Sequence, residues 1–107
     1  MNICAISGQI MQQPHVIDKG QSIRFAVLAP YFEQSKSDQE RCALVHCVLL
    51  NPNEYQKKKL QSQKAVGIYV EFTGRVAMTR YGTKDNKTID IMDVIVAGES
   101  LIIRGGE

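Results

Sequence analysis

The chain has 107 residues, 44% of them hydrophobic and 22% charged, and its net charge is +2. That length fits one domain over residues 1–107 with one core, and the composition is neither disordered nor collagen-like. No apolar run reaches the length of about 18 residues that a membrane-spanning helix needs.

Three unclustered cysteines argue for a reducing, cytoplasmic setting more than for a disulfide scaffold. Met1-Asn2-Ile3-Cys4 has neither a basic stretch nor a long apolar one, so no secretory signal is expected. The distribution of charge is more informative than its total. Between residues 57 and 87, Lys57, Lys58, Lys59, Lys64, Arg75, Arg80, Lys84 and Lys87 face only Glu71 and Asp85, eight bases against two acids, or +6. The stretch before it has four bases against five acids, and the stretch after it one against four. One positive segment on a near-neutral body attracts a polyanion locally, although a solvated lysine face has the same composition.

In chain order, residues 2–11 read as a strand around Gly8. Residues 12–20 hold Pro14 and end in Asp18-Lys19-Gly20, which reads as a turn. Residues 21–32 predict a second strand, in which Ile23, Phe25 and Val27 alternate with Arg24, Ala26 and Leu28. Residues 32–40 are polar and read as an exposed loop. Residues 41–50 predict a third strand, so continuously apolar that burial on both faces, or on one face at an interface, is expected.

Asn51 then suits an N-cap, Pro52 the first helical position and Glu54 a capping box, which predicts a helix to about Lys64. Tyr55 and Leu60 form its narrow packing stripe. In residues 67–81, Ile68, Val70, Phe72, Val76 and Met78 share one parity. Tyr69, Glu71, Thr73, Arg75, Ala77, Thr79 and Tyr81 share the other, so a half-buried strand interrupted at Gly74 is expected. Residues 82–87 form a hairpin tip, residues 88–96 a β-branched return strand, and residues 101–103 a short last strand segment. Five strands with one helix between the third and fourth is the order of an OB-fold, an all-β five-stranded barrel whose face and hairpin loops bind oligonucleotides.

The strands themselves resemble those of the bacterial single-stranded-DNA-binding protein family. Asn2-Ile3-Cys4-Ala5-Ile6-Ser7-Gly8-Gln9-Ile10 with Pro14 resembles its opening strand and turn, Phe25-Ala26-Val27-Leu28-Ala29 its second strand, and Val45-His46-Cys47-Val48-Leu49 its third. Val70-Glu71-Phe72-Thr73-Gly74-Arg75-Val76, Thr79-Arg80-Tyr81 and Asp93-Val94-Ile95-Val96 resemble its fourth strand, hairpin and fifth strand. The resemblance implies binding of a single strand by base stacking and phosphate pairing, in a homodimer or homotetramer that works in replication, recombination or repair. The family stacks bases on tryptophans and this chain has none; Tyr81 stands where a hairpin tryptophan is expected and Leu44 where a third-strand one is. The sequence given also ends without the family's linker and acidic tip. Both departures resemble the primosomal replication protein B type, which makes an adaptor for replication proteins the alternative reading. A protein–protein module on the same fold is a further one, and RNA is an open alternative to DNA.

Stacking requires a flat π-face and phosphate pairing a nearby cation. Tyr81 and Arg80 at the hairpin base, with Lys84 and Lys87 at its tip, fit that need. Tyr69, Arg75 and Tyr81 form a track on one strand parity, although Tyr69 equally suits a barrel end or a subunit interface. Tyr31, Phe32 and Lys36 make a second candidate group, with Phe32 equally readable as a core plug. Arg24 and His46 lie on strands that the family uses for contact, while a histidine between apolar residues is more often a core group. The run 57–59 is read as helix decoration. Catalysis and cofactors are not expected. Cys42, His46 and Cys47 lack zinc spacing and do not point to one side of a strand, and Asp90 and Asp93 are too isolated for an acid–base pair.

Overall fold

The computed structural model describes residues 2–32 and 40–105. Its elements run β1 (Cys4–Ile10), β2 (His15–Ile17), β3 (Ser22–Phe32), β4 (Glu40–Leu50), α1 (Glu54–Leu60), β5 (Tyr69–Gly82), β6 (Thr88–Val96) and β7 (Ile102–Arg104), with single 3-10 turns at Asp18–Gly20 and Gly98–Ser100. All strands belong to one sheet, and β1 pairs with both β3 and β5, so that β1, β3, β4, β6 and β5 close into a ring of five. Most neighbours are antiparallel; β4 and β6 are parallel and pair only over Cys47–Leu49 and Val94–Val96.

Alternation along the strands fills the ring. Ile23, Phe25 and Val27 of β3, Cys47 and Leu49 of β4, Val70 and Phe72 of β5, and Val94 and Val96 of β6 are all buried inside it. Phe25 and Phe72 meet edge to face with centroids 6.1 Å apart, a favoured aromatic geometry. Leu60 of α1, with Ala65 and Ile68 behind it, joins the same core.

Two glycines permit the closure. At Gly8 a Cβ would run into the Leu28 carbonyl oxygen and the Val27 side chain, and at Gly74 it would lie 2.5 Å from the Ile95 carbonyl oxygen. No side chain larger than hydrogen fits there without moving backbone. Gly74 therefore does not interrupt the strand, as its sequence position suggests. It lies inside a continuous fourteen-residue β5, at the point where β1 and β6 both reach it.

Other expectations are corrected. Asn51 is not the helix cap: its φ is +49°, and its N–H donates to the Gln21 carbonyl. The box forms two residues later, where the Asn53 side chain accepts from Gln56 N and the Gln56 side chain accepts from Asn53 N. The helix ends at Leu60 and not near Lys64. Its buried stripe is Gln56 and Leu60, four residues apart on one face, whereas Tyr55 is 56% exposed. Gln56 is held inward because its amide also donates to the Gly98 carbonyl, 3.0 Å away. The stretch that reads as a turn contains β2, paired to the start of β3. In β4, Cys47, Val48 and Leu49 are buried, but Leu44 and Leu50 are exposed, so the apolar run is covered on both faces only where β4 meets β6.

Candidate nucleic-acid interface

The registers arrange the outer surface of the ring into rows. Arg24 pairs with Val48, Val48 with Ile95, and Ile95 with Arg75, which makes one row across β3, β4, β6 and β5. The next row holds Ala26 opposite His46 on β3–β4 and Asp93 opposite Ala77 on β6–β5. Beyond these rows β4 and β6 have no further pairing. The β3–β4 and β5–β6 hairpins continue separately, and the surface between them opens.

Arg24 and Asp93 join the two rows. The Arg24 Nη1 donates to Asp93 Oδ1 at 2.8 Å, reaching from β3 across β4 to β6. Asp93 is fully buried, and its Oδ2 accepts no hydrogen bond among the described residues. Asp93 looks isolated in the sequence because no cation adjoins it in the chain; its partner lies 69 residues away. Beneath it, burial pushes the Cys47 thiol up to about 12, aided by the charges of Asp93 and Cys4. Such a thiol is inert as a nucleophile. Cys42 is exposed on the other face of β4, and no group of three possible metal ligands exists among the described residues.

Of the predicted contact residues, Arg75 and His46 are exposed on this outer surface, and Arg75 makes no ion pair among the described residues. His46 is therefore not the buried core histidine that its apolar neighbours suggest. Arg80 is also exposed, but its Nε donates to Asp90 Oδ1 at 2.8 Å and its Nη2 to Oδ2 at 3.3 Å. That hydrogen bonding holds the guanidinium more firmly protonated than usual. Lys84 and Lys87 are exposed at the hairpin tip. There Thr83 N donates to the Lys87 carbonyl, Lys87 N donates to Thr83 Oγ1, and Asn86 takes a φ of +59°. A left-handed asparagine suits such a tight turn.

The tyrosine–arginine–tyrosine track is spread out. Tyr69 lies between Gln9 of β1 and Arg104 of β7, Arg75 beside Ile95, and Tyr81 beside Ile89. Tyr69 and Tyr81 are separated by roughly 40 Å of extended chain at about 3.3 Å per residue. They belong to one strand but not to one patch. Tyr31 and Phe32 pair with Arg41 and Glu40 at the end of β3, and Lys36 lies outside the described residues. Leu44 is exposed in the row after His46, opposite Leu28.

No protein-family model matches the chain, and no curated protein matches it in sequence. Solved structures do match. A Plasmodium falciparum SSB in complex with ssDNA superposes with a TM-score of 0.71 at 11% identity, covering 97% of this chain and 93% of that one. The mitochondrial single-stranded DNA binding protein Rim1 of S. cerevisiae superposes with a TM-score of 0.61 at 11% identity, covering 98% and 96%. At that identity the likeness is one of fold, and it extends over nearly the whole of all three chains: the five-strand ring with its two long hairpins is the fold of these single-stranded-DNA-binding proteins.

Proposed function

We propose that this protein is a non-catalytic binder of single-stranded DNA, on an OB barrel made by the five-strand ring with α1 between its third and fourth strands. The observation that carries the reading is the end-to-end fold match to a protein solved with ssDNA. The outer surface is consistent with it. Arg24 and Arg75 flank an apolar floor of Val48 and Ile95, His46 is exposed beside them, and Lys84 and Lys87 stand at the tip of the neighbouring hairpin. Cations along an apolar strip suit a phosphate backbone and base faces with little sequence preference. Tyr81 and Phe32, on the two hairpins, are the proposed stacking residues.

The molecule works in this reading as a homodimer or homotetramer. Met78 and Met92, directly paired across β5 and β6 and each more than 60% exposed, supply apolar surface for such an association. Titration of a labelled oligothymidine at increasing salt tests the function. Binding should weaken steeply, since each phosphate neutralised contributes about −0.7 to the log–log slope on a single strand. Binding indifferent to salt, or stronger on duplex, would overturn the reading. Tyr81→Ala should weaken binding about tenfold, within the roughly 1–3 kcal/mol that one stacked base is worth.

A further inference from the structure

The row Arg24–Val48–Ile95–Arg75 does not end at β5. The β1–β5 register closes at Cys4 opposite Gly74. Beyond it, the Asn2 side chain continues the ladder, donating to the Val76 carbonyl at 2.6 Å and accepting from Val76 N at 3.0 Å. This anchor fixes Ile3 beside Arg75, on the opposite side from Ile95.

A groove of about 610 Å³ lies there, its lining including Ile3, Leu50, Gly74, Arg75, Ile95 and Glu99. That volume is within the range of roughly 300–1,000 Å³ usual for small-ligand sites. Ile3 is 67% exposed and Leu50 47%, so both present aliphatic surface to the groove. Arg75 and Glu99 are both exposed and form no ion pair with each other or with any described residue. The groove thus combines apolar walls, an available cation and a carboxylate, and it is continuous with the proposed strand-binding surface.

We propose that this groove takes one nucleotide of the bound strand, its base against Ile3, Leu50 and Ile95 and its phosphate on Arg75. Glu99 repels phosphate, so it orients the nucleotide with the sugar–phosphate chain on the Arg75 side. The strand therefore extends from the outer surface past Arg75 and down toward the β6–β7 connection. The inference rests on the proposed single-strand binding and adds a path to it.

The chain contains no tryptophan, so Leu50→Trp introduces a single indole into the groove. Oligothymidine should quench its emission saturably if a base stacks on it, and added salt should reverse the quench. Tyr55→Trp, on the exposed face of α1, should show no quench. Ile3→Glu in the Leu50→Trp background should weaken the quench-detected affinity about fivefold or more. Anisotropy of the same labelled oligonucleotide reports binding independently. Binding seen by anisotropy with the Leu50→Trp emission unchanged, or unaffected by Ile3→Glu, overturns the groove and leaves single-strand binding standing. No binding by anisotropy of the unsubstituted protein overturns both.

Discussion

The ring and the β5–β6 hairpin that projects from it share two strands, and each contains an arginine–aspartate pair at 2.8 Å. In the ring, Arg24 reaches a fully buried Asp93, its own side chain 28% exposed. On the hairpin, the side chains of Arg80 and Asp90 are 70% and 44% exposed. One contact geometry therefore serves two purposes. The buried pair ties β3 to β6 across β4, where the parallel ladder is only three residues long. The exposed pair joins neighbours that β-pairing already holds. Where solvent is excluded, a charge is costly without its partner; where water is present, the partner adds little.

The strongest contrast comes from the glycine that closes the ring. Gly8→Ala would press a methyl group into the Leu28 backbone and Val27, where only chain movement can relieve it. Loss of cooperative folding is expected, or destabilisation beyond about 4 kcal/mol, the range of severe core disruption. A methyl group on Gly82, at the end of β5 in the hairpin, would meet nothing within 4 Å, so Gly82→Ala should leave the urea midpoint nearly unchanged. Similar midpoints for both variants would refute the close approach of β1 and β3.

Arg24→Ala comes next. It leaves a carboxylate in the ring wall without its cation, and about 2–4 kcal/mol of stability should be lost. Changing both partners at once, Arg24→Leu with Asp93→Asn, is a poorer test than the single change, because it removes the buried charge together with its compensation. Urea unfolding at neutral pH measures the effect. A loss under about 1 kcal/mol would mean that Asp93 is hydrated, like the hairpin pair.

Cys47 probes the same wall through pH. Its thiol is raised from 9.0 to about 12 in the folded chain, so the folded state holds the proton more tightly than the unfolded state. The resulting stability is fully present below pH 9 and is lost as pH rises from there toward 12. By about pH 10.5 the loss should be on the order of 1–2 kcal/mol, at about 1.4 kcal/mol per pH unit. Cys47→Ala should flatten that part of the alkaline limb, measured relative to its own midpoint at about pH 8, where the thiol is still protonated in both states. Exposed Cys42, in contrast to buried Cys47, should react with a thiol reagent in the native protein.

The two regions also differ in how legible they are in the sequence. The strands of the ring announce themselves through alternation: Ile23, Phe25 and Val27, or Val70 and Phe72, are buried because period two puts them on one face. Helix and cap are harder. Asn51 and Asn53 are both good cap residues, and the choice is made by Gln21, thirty residues earlier, which takes the Asn51 N–H. The candidate surface is legible in residue type but not in assembly. Arg24, His46 and Arg75 are named by their chemistry, yet only the register shows that Val48 and Ile95 complete their row. Asp93 looks idle because its partner is remote in sequence, and Ile3 and Leu50 look like ordinary strand ends. Distance along β5 is the main trap: shared parity suggests that Tyr69, Arg75 and Tyr81 act together, while the paired strands distribute them around the ring.

At the hairpin tip the expected effects concern binding more than folding. Lys84 and Lys87 are exposed and make no ion pair among the described residues. Replacing both with Ala should leave the urea midpoint in place and make the salt dependence of oligothymidine binding shallower by about 1.4, two phosphate contacts at about 0.7 each. An unchanged slope would remove the tip from the strand's path and favour exit through the groove at Arg75.

The smallest effect is expected at the exposed pair, and it is the most direct test of the comparison. Arg80→Ala should leave the urea midpoint nearly unchanged, because an exposed ion pair adds little to stability, although its contact is as short as that of Arg24. The same pairing governs what Arg80 offers a ligand. Asp90 occupies its Nε and one terminal nitrogen, and places a negative charge where a phosphate would approach. Asp90→Asn keeps a hydrogen-bond acceptor and removes that charge, so it should tighten oligothymidine binding about two- to threefold at low salt, with the gain vanishing as screening shortens the Debye length. If Asp90→Asn weakens binding instead, Asp90 positions Arg80 for the strand rather than competing with it, and the hairpin pair would then resemble the ring pair in purpose as well as in length.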